Sequence, residues 1–182
     1  MKKIFNLQLF AEAEQGKRAV QGSKIIYLFR ILEKAATADA CAMAFTTENS
    51  RSKSKDSDTI VTKDGSMRTP GASEVEITAT ALLAVGDTLA EDLEDAMDND
   101  KIIEIWEVNL AAPVGTGSNK FKGRYYQGYL TEFELSSSSE DHAEYSTTFG
   151  INGEGVKGDV TVSAEQQEVA QYVFADTTAT GA

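Results

Sequence analysis

Alternation with a period of two dominates this chain, and it commits most of the length to strands covered on one side. Between residues 74 and 83, Val75, Ile77, Ala79, Ala81 and Leu83 are apolar, and Glu74, Glu76, Thr78 and Thr80 stand between them. Over 120–135 the apolar set is Phe121, Tyr125, Tyr129, Phe133 and Leu135, against Lys120, Lys122, Arg124, Glu132 and Glu134. Tyr126 breaks that pattern, because it falls on the polar set. Tyr145, Phe149 and Ile151 alternate with Glu144, Ser146 and Thr148, and Val160 and Val162 begin the same pattern again. Such segments read as half-buried antiparallel strands.

Two stretches are apolar on both faces. In 102–110, Ile103 and Ile105 point one way and Ile102, Trp106 and Val108 the other, which predicts a central strand. In 24–32, Ile25, Tyr27, Phe29 and Ile31 oppose Ile26, Leu28 and Leu32. A helix is an alternative there, because periodicity cannot decide a short apolar run. One helix is predicted at about 88–98. Thr88 and Glu91 fit a capping box, and Leu89, Leu93, Ala96 and Met97 form its apolar stripe. A second, weaker start follows Ser163 with Gln166 three residues on, and residues 164–174 read as either helix or strand. Residues 48–72 are polar and of mixed charge, with turn signals at Asp64-Gly65 and Pro70-Gly71, and read as a long loop. Residues 111–119 form a shorter Gly-rich loop, and 177–182 a flexible tail.

Charge is unevenly placed. Residues 1–70 hold 12 Lys/Arg and 8 Asp/Glu, a balance of +4, while residues 71–182 hold 5 and 21, a balance of −16. An acidic body of that kind argues against gripping nucleic acid, which takes clusters of Lys and Arg. The single cysteine, Cys41, rules out a disulfide within the chain, and its Ala and Met neighbours predict a small buried side chain. No apolar run approaches the roughly 20 residues of a membrane helix. Lys2-Lys3, the stretch Ile4–Phe10 and Ala11-Glu12-Ala13 imitate a signal peptide, but Asn6 and Gln8 interrupt the apolar stretch. An arm packed on a neighbour is the better expectation for residues 1–22.

The motifs that could carry chemistry fail on context. Gly153–Gly158 fits G-x-G-x-x-G, yet a strand is expected after it rather than a phosphate-binding helix, and Asn152-Gly153 is a hairpin-turn dipeptide. His142, the one histidine, lies in a charged turn with no Cys/His set at metal-ligand spacing. A loop starting at Asp56 with Asp58 and Asp64 puts Val61 where an EF-hand needs Gly and Met67 where it needs Glu. No G-x-S-x-G elbow occurs, and with 29 acidic residues a carboxylate pair means nothing. The residues alone therefore predict a mainly β domain with no catalytic, cofactor-binding or metal-binding set. The mixed charges of Arg51, Lys53, Lys55, Asp56, Asp58, Lys63, Asp64 and Arg68 suit a salt-bridged protein contact.

An ordered set of local sequences resembles the major tail protein (tail tube protein) family of long non-contractile-tailed bacteriophages. The set is Asp56-Ser57-Asp58-Thr59, Thr62–Gly65, Glu74–Thr80, Ile105–Asn109, Tyr125–Thr131, Thr148–Gly153 and Gln171–Phe174. It spans roughly residues 23–176, and Met1–Gly22 extends beyond it. The resemblance implies a two-sheet β-sandwich or barrel with the 88–98 helix on its flank. It also implies a long β-hairpin loop at about 48–72 that reaches an adjacent ring, carrying the eight charged residues above as contacts. Implied too are hexameric rings stacked into a tube in the virion, assembled in the host cytoplasm. Its partners would be further copies of itself, a tape measure protein, and tail-tip and tail-terminator proteins. DNA would pass through without specific binding, eased by acidic walls, and neither membrane nor cofactor would be involved. Two other readings stand beside it: a β-sandwich binding module of capsid-decoration or adhesin type, and the tube subunit of a contractile or type VI secretion system.

Overall fold

The computed structural model describes residues 18–115, 119–164 and 166–167. After a short 3-10 turn, Gly22–Lys24, the chain forms β1 (Ile25–Ile31), β2 (Thr46–Thr62) and β3 (Gly65–Leu82). It continues through α1 (Thr88–Asp98), β4 (Ile103–Pro113), β5 (Lys120–Ser136), β6 (Glu144–Ile151) and β7 (Val156–Thr161). The strands form one sheet in the order β1-β4-β5-β6-β3-β2, with β7 also paired to β5. Every pairing between named strands is antiparallel.

The sheet makes two packed layers by folding along β5. The first part of β5 pairs with β4 and its second part with β6, and Gly128 pairs with both Ile103 and Ile151. A Cβ at Gly128 would stand 2.3 Å from the Gly150 carbonyl oxygen, so the crossing needs glycine. Phe29 of β1 stacks on Phe149 of β6 with ring centroids 5.2 Å apart, although β4 and β5 separate those strands in the sheet. Between the layers lie Ile77 and Ala79 of β3, Ile103 and Ile105 of β4, Tyr126 and Leu130 of β5, and Tyr145 of β6. Leu89, Leu93 and Ala96 of α1 join the same core. Each fully buried aliphatic side chain contributes about 1.5–3 kcal/mol. A second cluster, Leu28, Val108, Leu110, Phe121 and Val162, covers the outer face of β1, β4 and β5. As its two apolar faces predict, β4 sends Ile103 and Ile105 to one cluster and Val108 to the other.

Several expectations need correction. The first half of β5 is covered on both sides, so its parity is the reverse of the predicted one. Tyr126 and Leu130 enter the core, Phe121 packs in the outer cluster, and Tyr129 and Leu135 are exposed. A bulge at Thr131 then shifts the register and turns Phe133 inward, against the ring of Tyr145. Asp87 caps α1: its Oδ1 accepts from the Leu89 amide at 2.9 Å, which makes Thr88 the first helical residue rather than the cap. Met97 lies toward solvent. Cys41 is exposed, bridged to Phe29 through its backbone, and the buried residue of that segment is Met43. Strand β4 runs on to Pro113, shortening the predicted 111–119 loop, whose residues 116–118 fall outside the described residues.

Asn152-Gly153 does not form a hairpin. Strands β6 and β7 pair with the same strand, β5, as two runs separated by a jog. At that jog Gly155 has φ +74°, and a Cβ there would lie 2.2 Å from the Tyr126 ring. After Ser163 the reciprocal cap is present: the Ser163 amide donates to Gln166 Oε1 and the Gln166 amide donates to Ser163 Oγ. Residues 168–174 of the helix-or-strand segment, the 177–182 tail, and 1–17 of the expected arm lie outside the described residues. Among the described residues no helix is long and apolar enough to cross a membrane.

Candidate assembly interface

The stretch whose residues alone read as a long loop is, as the family resemblance implies, a β-hairpin: a two-stranded ribbon. Pairing of β2 with β3 runs from Thr46↔Ala81 to Thr62↔Gly65, and Lys63-Asp64 makes the turn. Gly65, at φ +137°, supplies the backbone conformation that other residues rarely adopt. Pro70-Gly71 is not a second turn. It sits in β3 beside a register shift between Lys55 and Ser57, where an unpaired proline nitrogen is tolerated.

Only the inner end of the ribbon belongs to the sheet. Glu76–Leu82 pair with β6, and residues 52–72 are exposed throughout. From Ser54 to Thr62 the ribbon projects roughly 30 Å at about 3.3 Å per residue. Its tip carries Ile60, Val61 and Met67, which are 48%, 82% and 57% exposed. Large apolar side chains grouped at the end of a projecting arm mark a contact surface.

The charged residues expected along this segment divide into two groups. Arg51 and Lys53, at the base, are engaged within the chain. Arg51 Nε pairs with Glu107 Oε2 at 2.5 Å, and Lys53 Nζ with Glu154 Oε1 at 3.2 Å. Hydrogen bonds from Ser73 and Lys53 hold the Glu154 carboxyl below the usual carboxylate range. Lys55, Asp56, Asp58 and Arg68 line the exposed ribbon, and Lys63 and Asp64 form its tip. Among the described residues Lys55, Lys63 and Arg68 make no ion pair within the chain. The apolar tip was missed, although Ile60-Val61 inside a polar run was its signal.

A polar network fixes the ribbon's base to the domain. Glu107 of β4 accepts from Arg51 and, more weakly, from the Tyr27 and Tyr126 hydroxyls at 3.3 and 3.4 Å. Burial, reinforced by the Glu107 charge, pushes the Tyr27 phenol up, so it stays a proton donor. Glu104, 5% exposed, accepts from Arg30 Nε at 2.8 Å and the Tyr125 hydroxyl at 2.6 Å. Arg30 lies over the Trp106 ring, 5.0 Å from its centroid. The Arg51–Glu107 pair thus ties β2, at one edge of the folded sheet, to β4 in the facing layer.

The opposite end of the hairpin carries a second apolar surface. Leu83, Val85 and Leu135 are exposed there, with Phe45, whose φ is +47°. A groove of about 540 Å³ opens between the start of α1 and the end of β5, lined by Leu83, Ala84, Ala90, Phe133 and Leu135. Asp87, Glu91 and Glu94 line it as well.

Comparison with known proteins assigns this folded β-sheet, with α1 on its flank and its projecting ribbon, to a class of tube subunits. Residues 19–157 match the family described as phage tail tube protein, and the chain belongs to that family. It is a tube-forming structural component of the virion tail. A tail protein of Staphylococcus phage phiMR25 is 36% identical over 157 residues, covering 84% of this chain and 80% of that one. The tail tube protein gp17.1* of Bacillus phage SPP1 is 25% identical over 147 residues, covering 81% of this chain and 54% of that protein.

Solved structures share the fold. The SPP1 tail tube, determined by solid-state NMR and cryo-EM, superposes with a TM-score of 0.69 at 20% identity, over 90% of this chain and 95% of that one. A protein of the native gene transfer agent virion superposes with a TM-score of 0.58 at 12% identity, over 77% and 99%. A chain of the sheath–tube complex of an extracellular contractile injection system gives 0.53 at 17% identity, over 80% and 95%.

Proposed function

We propose that this protein assembles into hexameric rings that stack into the tail tube, the conduit through which DNA leaves the virion. Its role is structural and not catalytic. The unit that builds the tube is residues 23–176, with 1–22 as an arm toward a neighbouring subunit and 177–182 as a tail. The observation that carries the reading is the ribbon, exposed on both faces and apolar at its tip. A two-stranded hairpin standing alone is marginally stable in water, so its length and tip make physical sense when another subunit covers them. The contact set is Arg51, Lys53, Lys55, Asp56, Asp58, Lys63, Asp64 and Arg68. Arg51 and Lys53 set the base of the ribbon, and the others meet the next ring. Membership of the tail tube family supports the structural role. The tape measure, tail-tip and terminator proteins are the remaining partners, and DNA crosses the lumen without specific binding.

Negative-stain electron microscopy over rising protein concentration tests this. Rings and stacked tubes with a central hole are expected, and removing residues 56–71 should leave rings that no longer stack. A chain that stays monomeric at every concentration, even with a tail-tip complex present as initiator, would contradict it.

A further inference from the structure

The tip of the ribbon and the apolar groove beside α1 lie at opposite ends of one strand. β3 starts at the tip with Gly65 and ends at Leu82, one residue before Leu83 enters the groove. Those 18 residues span up to roughly 60 Å at about 3.3 Å per residue. Because the ribbon is paired along its length, a chain cannot bring its own tip to its own groove. From this geometry we infer that the tip of one copy seats in the α1–β5 groove of a second copy. The inference rests on the assembly reading above and supplies the receiving surface, which that reading leaves open.

The chemistry of the two surfaces matches. Ile60, Val61 and Met67 are the apolar residues of the tip, and Leu83, Phe133 and Leu135 form an apolar lining in a cavity of about 540 Å³. Burying exposed apolar surface on both sides drives the contact. Charge agrees as well. Helix α1 carries Glu91, Asp92, Glu94, Asp95 and Asp98 and no basic residue. Of these, Glu91 and Glu94 line the groove, and among the described residues neither forms an ion pair. Lys63 at the tip and Arg68 just below it likewise form no ion pair among the described residues and supply the opposite charge. Phe45, exposed and held at φ +47°, an unfavourable conformation for an aromatic residue, lies beside the end of β3, where the Leu82 amide donates to its carbonyl. Tip and groove are different surfaces of one chain, so each copy gives one and receives one. A head-to-tail contact of that kind builds a filament when its rotation does not close into a ring.

Cross-linking in the full chain tests the register. In a Cys41→Ser background, Val61→Cys and Leu135→Cys are made separately, and the two proteins are mixed, assembled and treated with a short bis-maleimide. Both sites are exposed in the free chain, so folding should be unaffected, and circular dichroism checks it. The expected product is a covalent dimer in the mixture and none from either variant alone. Leu135→Asp should abolish stacking as completely as Val61→Asp. Tubes that form without the 61–135 cross-link, or that tolerate Leu135→Asp, would overturn the docking and leave the assembly reading intact. A Cys41→Ser protein that forms no tubes where the unaltered chain does calls for the same variants with Cys41 retained, read by the two aspartate substitutions. An unaltered chain that forms no tubes even with its initiator would overturn both.

Discussion

The inner and outer halves of the β2–β3 hairpin are built from the same two strands and live in different surroundings. In the inner half, Val75, Ile77, Ala79 and Ala81 alternate into the core, and β6 pairs along the free edge of β3. In the outer half, residues 54–72 are exposed and pair only within the β2–β3 hairpin. The inner half is held by its own chain. The outer half keeps the strand hydrogen bonds without the burial that stabilises them, so in the proposed assembly its order would depend on a neighbour. That contrast separates the part of the hairpin that folds the subunit from the part proposed above to join subunits.

A matched pair of isoleucines gives the largest expected difference. Ile77 is fully buried, and Ile77→Ala should cost about 2–5 kcal/mol in chemical denaturation. A loss under about 1 kcal/mol would mean that the inner half is not part of the core. Next comes the junction. Arg51→Met leaves half-buried Glu107 with two long phenol hydrogen bonds and should cost about 1–3 kcal/mol. Adding Glu107→Gln should recover part of that loss, and strictly additive effects would show that the pair does not couple the ribbon's base to β4. At the foot of β3, Asp87→Ala should cost about 1 kcal/mol and Thr88→Ala within about 0.5 kcal/mol, because only Asp87 caps α1. The reverse order would return the cap to Thr88. Smallest for the monomer is Ile60→Ala, at about 0.5 kcal/mol or less, although stacking should weaken. A large loss of monomer stability there would erase the contrast between the halves.

The same contrast governs how much could be read in advance. Burial writes alternation into a strand, so the inner part of β3, both faces of β4 and the buried set of β6 were legible. The outer ribbon has no buried face, so it carries no alternation: its residues alone read as a loop, and the family resemblance implied the hairpin. In β5 both faces of the first half are covered, Phe121 on one and Tyr126 on the other, and a single alternating set chose the wrong side. The bulge at Thr131 leaves no mark in the residue pattern. Asp87 and Thr88 are both good cap residues, and only the backbone decides between them. In the outer ribbon the charged residues stand out by composition, and the contact role proposed for them rests on the family resemblance. Ile60-Val61 was passed over despite standing in a polar run, because two adjacent apolar residues on a strand point to opposite faces and match no covered side. Leu83 and Leu135 read as core residues because each ends an alternating run, and the run outlasts the layer that would cover it.

Hydrogen exchange of the backbone amides in 54–71 against those in 76–82, measured in monomer and in assembled tubes, tests the central claim most directly. The inner amides should exchange slowly in both states. The ribbon amides should exchange quickly in the monomer and slow by roughly 100-fold or more in tubes, as local opening becomes coupled to loss of the neighbour. Ribbon amides that are equally protected in monomer and tube would contradict the account, because the ribbon would then be stable without a neighbour.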